Sequence, residues 1–231
     1  MARITIIETG QVPQKYRERH GSFPDMFERM VRAEDPTASV DVVSIPNGDA
    51  LPDPGKLEAV LITGAAAGVY DGLDWIAPLE DFVRQAYASK TPMVGVCFGH
   101  QLIAQALGGT VRKSEKGWGI GRHVYQVLPE NGVVGGEAVA IAASHQDQVI
   151  VQPPNTTIVA ESAFTPYAAL AWTDRPAISF QFHPEFSPAF ARALIEKRYD
   201  IVPDPDAAIA SLDAPNDNAR VGGWIRRFLE A

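Results

Sequence analysis

The chain has 231 residues, 46% hydrophobic and 21% charged, a balance that suits one large globular domain and excludes a disordered chain. Its 20 Lys and Arg against 28 Asp and Glu give a formal net charge of -8, which excludes the clustered basic face of a nucleic-acid footprint. A single cysteine excludes an internal disulfide framework and fits the reducing cytoplasm, the expected location.

In chain order, residues 3–7 read as a strand and 23–33 as a helix. Residues 40–44 form a second strand, followed by a loop rich in Pro, Gly and Asp through Gly55. Residues 58–62 make a third strand, 75–88 a helix and 93–96 a fourth strand. Residues 100–107 follow as a helix that Gly108-Gly109 ends. Alternating helices and Val- and Ile-rich strands predict an α/β fold, a flavodoxin-like open and mostly parallel sheet with helices on both faces. No stretch reaches the roughly 18 apolar residues of a membrane span, since residues 59–70 are broken by Thr63, Gly64 and Gly68. The first eight residues read as a strand rather than a signal peptide.

From Thr110 the pattern changes. Val111 and residues 123–127, 138–142, 158–161, 168–172 and 178–182 are short strands divided by turns, with no helix between them. They predict an antiparallel or mixed extension of the same sheet. Residues 188–197 resume a helix with Pro188 in its first turn. Residues 202–218 read as a loop over a short helix, and 221–229 as a closing helix. No linker interrupts the chain, so residues 1–231 are expected as one domain, with a core of about 1–198 and a C-terminal helical arm, 199–231.

The chemistry concentrates at Gly95-Val96-Cys97-Phe98-Gly99, a G-x-C-x-G between a strand and a helix. This is the cysteine form of a nucleophile elbow, a tight turn that lifts its central side chain above the sheet. The helix that follows presents its positive end to the sulfur, which favours the thiolate. The Phe98 N–H then points at an oxyanion formed on an attacked carbonyl. A lone cysteine is more often a small buried hydrophobe; the strand, the helix and the two glycines reverse that reading here.

A thiolate needs a base, and the base an orienting partner. Among His20, His100, His123, His145 and His183, the last stands in Phe182-His183-Pro184-Glu185 after an apolar strand. Residues two apart in an extended segment share a side, so Glu185 is placed to fix the imidazole. Cys97 and His183 both fall at the carboxyl edge of the predicted parallel sheet, where such sites form. No metal-ligand spacing and no phosphate-binding loop occurs, so no cofactor is expected. The Gly-rich stretch from Glu115 to Gly121 reads equally as a turn or as a flank of the pocket.

Gly95-Val-Cys-Phe-Gly-His-Gln101 together with Phe182-His-Pro-Glu185 resembles the class I glutamine amidotransferase family, through most of the chain up to about residue 198. The resemblance implies Cys97 as nucleophile, His183 as general acid and base, and Glu185 as its orienter. It implies substrate contacts from Gln101 and from the Ser144-His-Gln-Asp147 segment, with Ser144 and Gln146 the residues carried over. It places the oxyanion at Phe98 and at Gly64, although Gly64-Ala65-Ala66-Ala67 departs from the family's usual Gly-Gly-Pro. The implied reaction is hydrolysis of the γ-glutamyl amide of glutamine through a glutamyl thioester, with ammonia supplied to a separate synthetase subunit. A stand-alone γ-glutamyl peptide hydrolase or transpeptidase is the alternative. A non-catalytic binding or stress-response module is the third reading, which the intact His-Pro-Glu opposes.

Overall fold

The computed structural model describes residues 3–128 and 134–229. The first half alternates strands and helices: β1 (Ile4–Glu8), α1 (Gln14–His20), α2 (Phe23–Glu34), β2 (Val40–Ser44), β3 (Ala59–Ile62), α3 (Ile76–Ala88), β4 (Met93–Val96) and α4 (Phe98–Ala106). Seven strands follow: β5 (Thr110–Lys113), β6 (Gly119–Val127), β7 (Ala138–His145), β8 (Asp147–Val151), β9 (Thr156–Glu161), β10 (Ala169–Trp172) and β11 (Ala177–Phe180). Three helices close the described chain: α5 (Pro188–Lys197), α6 (Pro205–Ser211) and α7 (Asn218–Leu229).

Nine strands form one sheet in the order β2-β1-β3-β4-β11-β10-β9-β6-β7. The β2, β1, β3, β4 and β11 strands run parallel, and β10, β9, β6 and β7 continue the sheet antiparallel. The parallel part has the doubly wound order of a flavodoxin-like fold, and the antiparallel part is the expected extension. One expectation fails. The strand at Val111 is not in this sheet: β5 pairs with β8 in a separate two-stranded ribbon. The β8 strand was not anticipated, because Val149-Ile150-Val151 is too short an apolar run to stand out.

Both sheet faces are covered. On one, Leu79, Phe82 and Val83 of α3 and Leu102 and Ile103 of α4 pack on Ile7, Val60 and Ile62. On the other, Phe27 and Val31 of α2 meet Val221, Trp224 and Ile225 of α7 over Ile4, Ile6 and Val94. The segment expected as an arm therefore contributes to the main core; its residues 230 and 231 lie outside the described residues. A capping box fixes the start of α2, where Ser22 and Asp25 bond each other's backbone N–H. The unforeseen α1 buries none of its residues, so it leaves no periodic apolar signal. No helix among the described residues is long and apolar enough to cross a membrane.

Candidate active site

The β4 strand is buried throughout and delivers the chain to Cys97, whose φ is 53° and ψ -102°. For a residue with a Cβ this backbone costs about 1–3 kcal/mol and persists only where its surroundings over-determine it. They do. Cys97 N–H donates to the Phe180 carbonyl at 2.8 Å, and Gln101 N–H donates to the Cys97 carbonyl at 3.0 Å. Gly99 N–H donates to the Thr63 carbonyl at 3.1 Å. The elbow glycines answer to close packing rather than to backbone handedness. A Cβ on Gly99 would stand 2.3 Å from the Ile62 carbonyl oxygen, and one on Gly95 2.5 Å from the Gly99 oxygen. Between these bonds, the N–H of Phe98 at the first position of α4 has no partner among the described residues.

The loop after β3 supplies the neighbouring wall. Thr9 Oγ1 donates to the Thr63 carbonyl at 3.0 Å and reaches the Gly64 carbonyl at 3.2 Å, and Thr9 N–H donates to Thr63 Oγ1 at 3.0 Å. With the Gly64 carbonyl held inward, the Ala65 N–H across the same planar peptide bond points the opposite way. Ala65 lines the cleft that contains Cys97. Gly64 itself packs against Cys97 and His183, since a Cβ there would meet His183 Cε1 at 3.3 Å and Cys97 Cβ at 3.5 Å. The Ala65 N–H is thereby turned away from Thr9. Thr9, which clamps the loop, was not legible as a functional residue.

His183 follows β11. Its N–H donates to the Ala142 carbonyl at 2.9 Å, and its Nδ1 bonds Glu185 Oε1 at 2.8 Å with both side chains buried. The backbone here is a turn, closed by Phe186 N–H to the His183 carbonyl at 3.4 Å. The pair therefore meets across a bend, not along the extended segment that its spacing suggested. Asn218, another residue the sequence did not single out, donates Nδ2 to the carbonyls of Pro184 at 2.8 Å and Phe186 at 2.7 Å. The ring of Phe186 lies flat on the imidazole, 3.8 Å between centroids. Among the described residues His183 Nε2 has no partner other than the Cys97 side chain beside it. Burial pushes the imidazole toward losing its proton, but the Glu185 carboxylate and the Cys97 charge outweigh burial and raise its pKa.

The cleft measures about 170 Å³ and is lined by Cys97, Gln101, Trp118, Arg198, residues 65–67 and residues 144–147. Ser144 and Gln146 thus line the same cleft as Cys97. Gln101 Nε2 donates to the Asp147 carbonyl at 2.9 Å and to Gln181 Oε1 at 3.1 Å, which fixes the amide against that segment. Trp118 brings the Gly-rich stretch to the pocket. His145 packs under this wall, with Nδ1 against the Asp147 carbonyl at 3.1 Å, and burial drives its pKa down to about 3. His100 faces the core instead: Nδ1 meets Ser179 Oγ at 2.8 Å, and burial again lowers the pKa to about 3. A more apolar cavity of about 310 Å³ lies behind the triad, between α2, α5 and α7. It touches Glu185 and reaches neither Cys97 nor His183.

The class-I glutamine amidotransferase family model matches residues 21–199, a span that carries Cys97, His183 and Glu185. The chain belongs to the class-I glutamine amidotransferase family. It is 37% identical over 130 residues to the glutamine-hydrolysing GMP synthase of Desulfotalea psychrophila, a match that covers 54% of this chain and 24% of that protein. It is 33% identical over 140 residues to γ-glutamyl peptidase 4 of Arabidopsis thaliana, covering 57% of this chain and 55% of the peptidase. The chain thus spans about a quarter of the first relative's length and about half of the second's. A solved glutamine amidotransferase of Thermotoga maritima superimposes over 100% of this chain and 99% of its own, with a TM-score of 0.80 at 19% identity. At that identity the likeness establishes the fold.

Proposed function

We propose that this amidotransferase-family enzyme hydrolyses the γ-amide C–N bond of a γ-glutamyl substrate through a glutamyl thioester on Cys97. The observation that carries the reading is the strained Cys97, over-determined by its neighbours and set beside a buried His183–Glu185 pair. Strain maintained at a cysteine in a cleft is the mark of a nucleophile that must stay lifted.

The step order follows from the charges. His183, its pKa raised, enters as imidazolium beside the sulfur. Sγ attacks the γ-carbonyl, a C–S bond forms, and the carbonyl electrons move to oxygen. The N–H groups of Phe98 and Ala65 receive that oxyanion. The oxyanion collapses, the C–N bond breaks, and Nε2 gives its proton to the departing amine. A water molecule then loses a proton to the neutral Nε2 and attacks the thioester, releasing glutamate and restoring the thiolate–imidazolium pair. Gln101 and the Ser144–Asp147 backbone hold the amino-acid end of the glutamyl group.

When the leaving amine is ammonia, the enzyme acts as a glutaminase that supplies a separate synthetase subunit. When it is an amino acid, the enzyme works alone as a γ-glutamyl peptidase. Purified protein incubated with glutamine and with γ-glutamyl dipeptides, followed for ammonia and glutamate, separates the two. Cleavage of either is expected to vanish in Cys97→Ala, and activity that survives that substitution sinks the thioester mechanism.

A further inference from the structure

Glu185 can orient His183 only while the backbone that carries both residues holds still. That backbone is a turn between β11 and α5, outside every helix and strand, so its carbonyls need partners from elsewhere. The two carbonyls that flank Glu185 belong to Pro184 and Phe186, and one amide takes both. Asn218 Nδ2 donates to them at 2.8 and 2.7 Å, one N–H for each. Nitrogen alone suits that position, because an oxygen there would face two carbonyl oxygens.

Asn218 is itself held. It is the first residue of α7, and the residue before it is tied to β7, the last strand of the nine-stranded sheet. Asp217 N–H donates to the Ala140 carbonyl at 2.8 Å, and Ala140 N–H donates to Asp217 Oδ2 at 2.7 Å. Two residues along the same strand, the Ala142 carbonyl accepts the His183 N–H at 2.9 Å. The β7 strand therefore holds His183 directly, and holds the turn around Glu185 by way of Asp217 and Asn218. Asn218 does not line the cleft of Cys97; it stands with Glu185 on the cavity behind the triad.

Resting on the thioester reading above, we propose that Asn218 is a positioning residue for the triad. It fixes the Pro184–Phe186 turn so that the Glu185 carboxylate stays on His183 Nδ1, and so keeps on the imidazole the proton that Nε2 gives to the departing amine. Asn218 acts through Glu185 and touches no substrate, so its loss falls on the chemical step rather than on binding.

The experiment measures kcat, KM and the pH profile of kcat/KM on the best-cleaved γ-glutamyl substrate, in wild type, Cys97→Ala, Asn218→Ala and Asn218→Asp, with circular dichroism to confirm folding. Asn218→Ala removes both bonds. It is expected to lower kcat by about 10- to 100-fold, the cost of misplacing a reacting group by about 1 Å, with KM within about twofold of wild type. Its alkaline limb is expected to move down, because a carboxylate that drifts from Nδ1 favours the imidazolium less. Asn218→Asp keeps the size and suits a helix N-terminus, but sets an oxygen against the two carbonyls. It is expected to lower kcat over the same range, and it decides the matter if Asn218→Ala does not fold. A folded variant with wild-type kcat and an unmoved limb overturns the proposal, even if it unfolds more easily. A rise in KM at constant kcat also overturns it, because it places Asn218 on the substrate. If wild type and Cys97→Ala release glutamate equally, the thioester reading itself has failed.

Discussion

Exchanging Glu185 for Gln keeps the size and the hydrogen-bond acceptor but removes the charge that holds the proton on His183. Glu185 Oε1 meets Nδ1 at 2.8 Å, and both side chains are buried. With charge centres about 4 Å apart at an effective permittivity of about 20, the pair is worth about 4 kcal/mol. At about 1.4 kcal/mol per pH unit, that corresponds to about three pH units, and about one to three is the range such partners produce. Burial pushes the His183 pKa down, while Glu185 and Cys97 push it up. Removing the carboxylate therefore lets the imidazolium lose its proton at lower pH. Because that proton goes to the leaving amine, the alkaline limb of kcat/KM is expected to move down by about one to three pH units. The assay is a pH profile on the best-cleaved γ-glutamyl substrate, with circular dichroism to confirm folding. A limb that stays in place, or moves up, refutes the assignment of Glu185 as the group that keeps His183 charged.

Gly99→Ala is expected to destabilise the fold by more than the about 1–3 kcal/mol of ordinary overpacking, because the new methyl would stand 2.3 Å from the Ile62 carbonyl oxygen. Urea unfolding checks this, and a loss below about 0.5 kcal/mol, typical of a neutral surface change, contradicts the packing argument. His100 and His145 carry folded pKa values near 3 against an unfolded 6.5. Unfolding therefore takes up protons below pH 6.5, and their stabilising contribution falls as the pH drops from there toward 3. Each is expected to withdraw on the order of 2 kcal/mol between about pH 7 and about pH 5. Denaturant melts at the two pH values test this: His100→Asn should flatten the slope, and an unchanged slope would rule His100 out as a contributor.

What the sequence reveals and what it hides divide along chain distance. The elbow is local: Gly95, Cys97 and Gly99 lie within five residues, so the strand, turn and helix that define it can be read together. His183 and Glu185 are also close in sequence, though the turn that joins them is held by Asn218, which belongs to a helix 32 residues beyond Phe186. Thr9 acts on Gly64 across 55 residues and has no motif around it. Arg198 looks like any charged residue at a helix end, and its place becomes visible only when Trp118 arrives from β6's leading edge. The sheet itself was readable in its parallel half because buried strands are continuous apolar runs. The β5–β8 ribbon was not, since its pairing depends on two short strands brought together across the start of the antiparallel region.

The packing of α2 against α7 also bears on how this protein is made. Arg226 Nη1 donates to the Glu34 carbonyl at 3.2 Å, across 192 residues, and Trp224 and Ile225 close the face that Phe27 begins. At about 5–20 residues per second of synthesis, roughly 10 to 40 seconds separate the emergence of the two helices. Throughout that interval that face of the sheet has α2 but not α7 to cover it. The nascent chain is expected to wait with the α7-facing side of Phe27 exposed, a non-local contact that forms only at the end of synthesis.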